Sequence, residues 1–221
     1  MGGAAPAVIF DLDGTLIDSA PDLHAACVKT LAAAGAHPPS LAQVITYIGD
    51  GVPKLVERAM RDAKIPFTPE TRARLIADFL RHYSADQTTL TTVYPHVRPL
   101  LVALKSRGHG LGICTNKPES PARAILQSFD LGQFFDIIVG GDTLAKRKPD
   151  PTPLRHAAAQ LETPDCLYVG DSEIDAETAR ATNLPFALYT KGYRKIPVKA
   201  LPHRLAFDDF RQLASFLNLP S

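Results

Sequence analysis

Asp11 and Asp13 stand two residues apart at the end of a short apolar run, Ala7-Val8-Ile9-Phe10, and lead straight into Gly14-Thr15-Leu16. A buried strand over that run brings both carboxylates out where the strand opens into a glycine turn. Such a pair can hold a divalent cation and present a carboxylate oxygen to an electrophile beside it. Taken alone, the motif also fits a simple acidic turn. Three further polar groupings stand at candidate strand ends: Thr115-Asn116 after Leu111–Cys114, Lys148-Pro149-Asp150-Pro151, and Gly170-Asp171-Ser172-Glu173-Ile174-Asp175 after Leu167–Val169. Strand ends on one edge of a parallel sheet meet, so the four groupings can converge on a single crevice. Together they supply a nucleophile, hydrogen-bond donors, a fixed cation and acidic metal ligands. Those are the parts needed for phosphoryl transfer, where positioning and charge neutralisation do most of the catalytic work.

Convergence requires an α/β fold, and the pattern after residue 90 predicts one. Strands are expected at Ala7–Phe10, Gly110–Thr115, Phe135–Val139, Cys166–Val169, Phe186–Tyr189 and Arg204–Phe207. Their continuous apolar character fits strands covered by helices on both faces. Helices are expected at Pro99–Arg107, Ala122–Phe129, Pro153–Gln160 and Asp175–Thr182. Residues 17–90 differ: Asp22–Ala34, Leu41–Ile48, Val52–Ala63 and Pro69–Tyr83 carry helical periodicity with no strand between them. The expected organisation is a discontinuous Rossmann-like core, 1–16 and 91–221, flanked by helices and interrupted by a helical cap, 17–90. An insertion after a strand's C-terminal end is suited to act as a lid over a small site. Asp18-Ser19-Ala20-Pro21-Asp22 reads as the start signal of its first helix.

The bulk composition narrows the partner. The 221 residues are 45% apolar and 21% charged, with a formal net charge of +1. That leaves no broad basic field for nucleic acid, so a small-molecule partner is expected. Cys27, Cys114 and Cys166 are too few for a disulfide framework, and Cys114 and Cys166 read as buried thiols. No run approaches the ~20 apolar residues that span a membrane. The N-terminus carries no signal-peptide pattern, and Pro6 spoils a lipidation motif at Met1-Gly2, so a cytoplasmic protein is expected.

The four groupings, in this order and spacing, resemble the haloacid dehalogenase superfamily. The stretch Phe10–Leu23, the segment Tyr47-Ile48-Gly49-Asp50-Gly51 leading into Leu55–Ala59, and Cys114-Thr115-Asn116-Lys117 resemble its phosphoglycolate phosphatase branch. The resemblance covers nearly the whole chain. It implies that Asp11 is the nucleophile, forming an aspartyl phosphate, and that Asp13 is the acid and then the base. It implies magnesium held by Asp11, the Asp13 backbone carbonyl and Asp171, with Asp175 in support. Thr115 and the Asn116 amide would bind phosphoryl oxygens, and Lys148 would neutralise their charge. The substrate implied is a small phosphorylated acid, 2-phosphoglycolate first; for the assembly, a monomer or a homodimer is expected.

Alternatives remain at this level. Another sugar or sugar-acid phosphate could be the substrate, or the chain could be a hexose phosphate mutase or a phospho-ligand-binding protein without catalysis. Lys54 on the cap, with Arg58, is a candidate for the substrate carboxylate; the plain reading is an exposed helix lysine. Asp175 falls where a helix begins, so capping competes with metal support and can coexist with it. His96 stands where relatives often have glycine. Lys191-Gly192-Tyr193-Arg194-Lys195 could touch the site or a partner, but a solvated loop is the plainer reading.

Overall fold

The structure is a computed structural model that describes residues 5–161, 163 and 165–219. Met1-Gly2, read above as unlipidated, lies outside the described residues. In chain order the elements are β1 (Ala7–Phe10), β2 (Ile17–Asp18), α1 (Ala20–Ala33), α2 (Leu41–Tyr47), α3 (Val52–Asp62) and α4 (Pro69–Ala85). There follow β3 (Thr92–Val93), α5 (Val97–Ser106), β4 (Leu111–Cys114), α6 (Glu119–Ser128), β5 (Ile137–Val139) and α7 (Thr152–Gln160). The chain ends with β6 (Cys166–Gly170), α8 (Glu173–Thr182), β7 (Phe186–Tyr189), β8 (Leu205–Phe207) and α9 (Phe210–Phe216).

Six strands form one sheet in the order β5-β4-β1-β6-β7-β8, with every pairing parallel. The apolar runs make such strands because both faces are covered. Ala7, Ile9, Cys114, Val139, Tyr168 and Leu188 pack in one cluster with Leu154 and Ala157 of α7 and with Ala176 and Ala179 of α8. Val8, Phe10, Ile113 and Val169 alternate to the opposite face and are buried too. From β1 the chain goes to β4 on one side, and it reaches β6 on the other side only after β5. The order therefore reverses between β1 and β6, the place where open α/β sheets bind ligands. Phe10 pairs with Ile113 and with Val169, so the residues just beyond these three strands end level with one another.

The chain divides into two compact units, residues 1–17 with 93–221, and residues 18–92. The second unit is helical. α1 packs on α4 and α2, and α3 packs on α4 and α2. Leu31, Val44, Leu55, Met60, Leu75 and Phe79 are buried within it. Asp22 is buried as well, and its carboxylate accepts the N–H groups of Leu90 and Thr91 at 2.8–3.1 Å and the Thr91 hydroxyl at 2.7 Å. Ser19 is the N-cap residue of α1 without a side-chain capping bond, and the Asp18 carboxylate accepts the Ala20 N–H at 3.3 Å. α5 begins at Val97, two residues before the expected start, and its N-cap His96 has φ 65°. That left-handed conformation is the one in which glycine would be unstrained.

Candidate active site

All the core groupings singled out in the sequence lie at the C-terminal ends of β1, β4 and β6 or on the loops that leave the sheet there. Asp11 leaves β1 with its N–H bonded to the Val169 carbonyl at 2.8 Å, and Thr115 leaves β4 with its N–H on the Val139 carbonyl at 3.0 Å. Asn116 is tied across the cluster, its Nδ2 donating to the Lys148 carbonyl at 3.0 Å. The Lys148 ammonium, almost wholly buried, lies 2.9 Å from Asp11 Oδ1 and 2.7 Å from Asp175 Oδ1. It also donates to the Tyr168 hydroxyl at 2.9 Å.

The two carboxylates after β6 are held by different means. Asp171 Oδ1 accepts the Thr15 hydroxyl at 2.9 Å, and its Oδ2 accepts the Tyr193 N–H at 2.5 Å. Asp175 is the third residue of α8 and closes a capping box with Ser172. Its Oδ2 accepts the N–H groups of Asp171 and Ser172, while its Oδ1 accepts the Tyr168 hydroxyl at 2.7 Å. Capping and a place in the acidic cluster thus coexist in this residue. Gly14 makes the β1 turn with φ +87°, and a Cβ there would stand 2.6 Å from Asp171 Oδ2. Only glycine allows the turn to lie so close.

Asp11, Asp171 and Asp175 each offer an oxygen within 4.8 Å of the others, and all three are buried. Burial pushes the Asp11 carboxyl up to about 7; Lys148 opposes that rise, and Asp175 and Asp13 add to it. Burial, reinforced by Asp175 and Asp11, also raises Asp171 well above the usual carboxylate range. Burial would raise Asp175 too, but the Lys148 ammonium and the hydrogen bonds of Ser172 and Tyr168 outweigh it and hold this carboxyl low. Once all three carboxyls are ionised, they exceed the one lysine by two negative charges, and without a cation that excess is relieved by the raised proton affinity of Asp11 and Asp171. An all-oxygen donor set with that excess fits a hard divalent cation.

The Asp13 carboxylate faces elsewhere, toward Lys117 Nζ at 3.1 and 3.3 Å. In the helical unit, Lys54 is 58% exposed at its side chain and bonds Glu57 at 2.8 Å. Arg58 donates to the Tyr47 carbonyl at 2.8 Å and pairs with Asp50. Of the two sequence readings of segment 191–195, the structure favours contact with the site over a solvated loop. The segment is no simple solvated loop, because Tyr193 is buried and its N–H holds Asp171, while a Cβ on Gly192 would stand 2.3 Å from both Asp171 Oδ2 and the Gly14 carbonyl. Sequence reasoning missed Tyr168 and Thr15. Tyr168 reads as one more apolar residue of a buried strand, and its position directly before Val169-Gly170-Asp171 was the available signal.

The family model for haloacid dehalogenase-like hydrolases matches residues 8–189. A phosphoglycolate phosphatase of Cereibacter sphaeroides (strain ATCC 17025 / ATH 2.4.3) is 50% identical, with 96% of this chain and 97% of that protein covered. One from Rhodobacter capsulatus is 44% identical, with 95% of each covered. The crystal structure of a predicted phosphoglycolate phosphatase from Haemophilus somnus 129pt superposes with a TM-score of 0.91 at 30% identity, covering 96% of this chain and 97% of that one. This chain belongs to the haloacid dehalogenase-like hydrolases.

Proposed function

We propose that this hydrolase is a magnesium-dependent phosphatase that converts 2-phosphoglycolate to glycolate and phosphate. The observation that carries the reading is the buried Asp11–Lys148–Asp171–Asp175 cluster at the sheet's switch point, with Asp13 two residues beyond the nucleophile position. The name shared by relatives 44–50% identical over nearly the whole chain supports the substrate. Three free, buried cysteines fit a reducing cytoplasm. Among the described residues, no helix is long and apolar enough to cross a membrane.

Magnesium, carried by Asp11 and Asp171 with the Asp13 carbonyl and with Asp175 in support, would neutralise charge on the phosphoryl oxygens. The chain's own groups do the rest. An Asp11 carboxylate oxygen attacks phosphorus; its bond to phosphorus forms as the ester bond breaks. Asp13 gives a proton to the departing glycolate oxygen. It then takes one from the water that attacks the aspartyl phosphate, and phosphate leaves as Asp11 is regenerated. Thr115 and the Asn116 N–H donate to phosphoryl oxygens, and Lys148 offsets the charge that gathers between them and Asp11.

Phosphate release across a panel of phosphorylated metabolites, with and without magnesium, tests this reading. The expected result is magnesium-dependent turnover led by 2-phosphoglycolate and lost in Asp11→Asn. Turnover of another ester alone would overturn the substrate. Isomerisation of a sugar phosphate without net phosphate release would replace the phosphatase by a mutase.

A further inference from the structure

The chain ends β4 in a turn that is clamped from two sides and aims one lysine at Asp13. The Lys117 N–H donates to Thr115 Oγ1 at 3.2 Å, and the Lys117 carbonyl accepts the Gly141 N–H at 2.8 Å. Gly141 fits there because it has no side chain: a Cβ would stand 2.3 Å from the Asn116 carbonyl. The clamp therefore fixes the point on the backbone from which the lysine side chain departs. Its Nζ reaches both carboxylate oxygens of Asp13, at 3.1 and 3.3 Å, and its side chain is only 5% exposed.

We infer that Lys117 is the group that recognises the carboxylate of the substrate. The inference rests on the 2-phosphoglycolate reading and adds a specificity residue to it. Asp13 must come within hydrogen-bond distance of the oxygen that leaves phosphorus. Lys117 Nζ, one further hydrogen bond away, then lies within about 6 Å of that oxygen. In 2-phosphoglycolate a single methylene separates that oxygen from the carboxylate. A cation placed beside the acid thus meets the substrate's second anionic group with no reach to spare. Lys148, the other buried lysine of the cluster, pairs with the nucleophile Asp11 and with Asp175, whereas Lys117 is the one paired with the acid Asp13. An ammonium held in a largely buried setting discriminates strongly, because a substrate carboxylate gains a charge-assisted hydrogen bond that a methyl group in its place cannot make.

The test compares 2-phosphoglycolate with ethyl phosphate, in which a methyl group replaces the carboxylate. Steady-state kcat/KM is measured on both for the wild-type enzyme, Lys117→Met, Lys117→Arg and Lys54→Ala. The expected result is that Lys117→Met lowers the preference for 2-phosphoglycolate by about 10- to 100-fold, the value of one hydrogen bond to a charged group. Lys117→Arg retains most of that preference, and KM carries most of the change. Thermal unfolding of each variant separates a misfolded protein from a specific loss. Equal losses on both esters in a folded Lys117→Met protein would overturn the inference and leave Lys117 as a positioning residue for Asp13. A preference lost in Lys54→Ala and kept in Lys117→Met would move recognition to Lys54. Failure of the wild-type enzyme to hydrolyse 2-phosphoglycolate would overturn the substrate reading itself.

Discussion

Lys148 sits within 2.9 Å of two buried carboxylates and a phenol, and none of the three is within ten residues of it in sequence. Breaking a buried ion pair by removing one partner leaves uncompensated charge, at a cost of about 3–5 kcal/mol. Lys148→Met is expected to lower the stability of the metal-free protein by about that much. Activity is expected to fall by about a thousandfold, since one electrostatic contact to the transition state is lost. Urea unfolding and steady-state rates check the two effects; a Lys148→Met enzyme with wild-type turnover would remove Lys148 from the mechanism. Asp11, Asp13, Thr115, Lys148, Asp171 and Asp175 were legible in the sequence because each follows a strand-like run or its loop. Tyr168 and the Asp13–Lys117 contact were not, because both depend on partners brought together by sheet order. The 104 residues between Asp13 and Lys117 carry no local signal of their meeting.

At the scale of elements, the sheet was the readable part and the loops were not. Continuous apolar runs mark β1, β4, β6 and β7 whatever surrounds them, so their existence and order follow from burial on both faces. β2 and β3, two residues each, are too short to show a period. The loop after β7 reads chiefly as solvated from its lysines and arginine, while what meets Asp171 is the backbone of Gly192 and Tyr193. Lys191 and Arg194 turn to Asp208 and the Thr190 carbonyl, away from Asp171. Gly192→Ala is expected to push this segment off Asp171 and the Gly14 turn, with a stability loss of about 1–3 kcal/mol from overpacking. Affinity for Mn2+, read by electron paramagnetic resonance as a probe for magnesium, is expected to fall about tenfold or more, as when a ligand loses its supporting contact. Unchanged Mn2+ affinity would show that Asp171 needs no support from that loop.

For the whole molecule, the acidic cluster couples stability to pH and to metal. Asp11, raised by burial from 3.8 to about 7, holds its proton more tightly in the folded protein than in the unfolded one. Its contribution to stability is therefore complete below the unfolded value and is lost as pH rises through 7. Asp171 shifts in the same direction. Asp175, held low, has the opposite sign, and its contribution is lost only at acidic pH. Between pH 5 and 8 the stability of the metal-free protein is thus expected to fall, by up to about 1.4 kcal/mol per pH unit for each raised group, and its melting temperature with it. Saturating magnesium is expected to flatten the dependence, because the cation replaces the proton. A metal-free melting temperature that is flat or rises over this range would contradict the account of the cluster.

The central claim, that Asp11 carries the phosphoryl group and Asp13 releases it, is tested most directly by stopped-flow turnover of p-nitrophenyl phosphate by Asp13→Asn. An aryl leaving group needs no acid, so Asp11 still attacks phosphorus and nitrophenolate departs, but the resulting aspartyl phosphate lacks its base. The account predicts a burst of nitrophenolate near one equivalent per chain, followed by slow turnover, with no burst in Asp11→Asn/Asp13→Asn. Linear release at the wild-type rate, the same in the double variant, would contradict it.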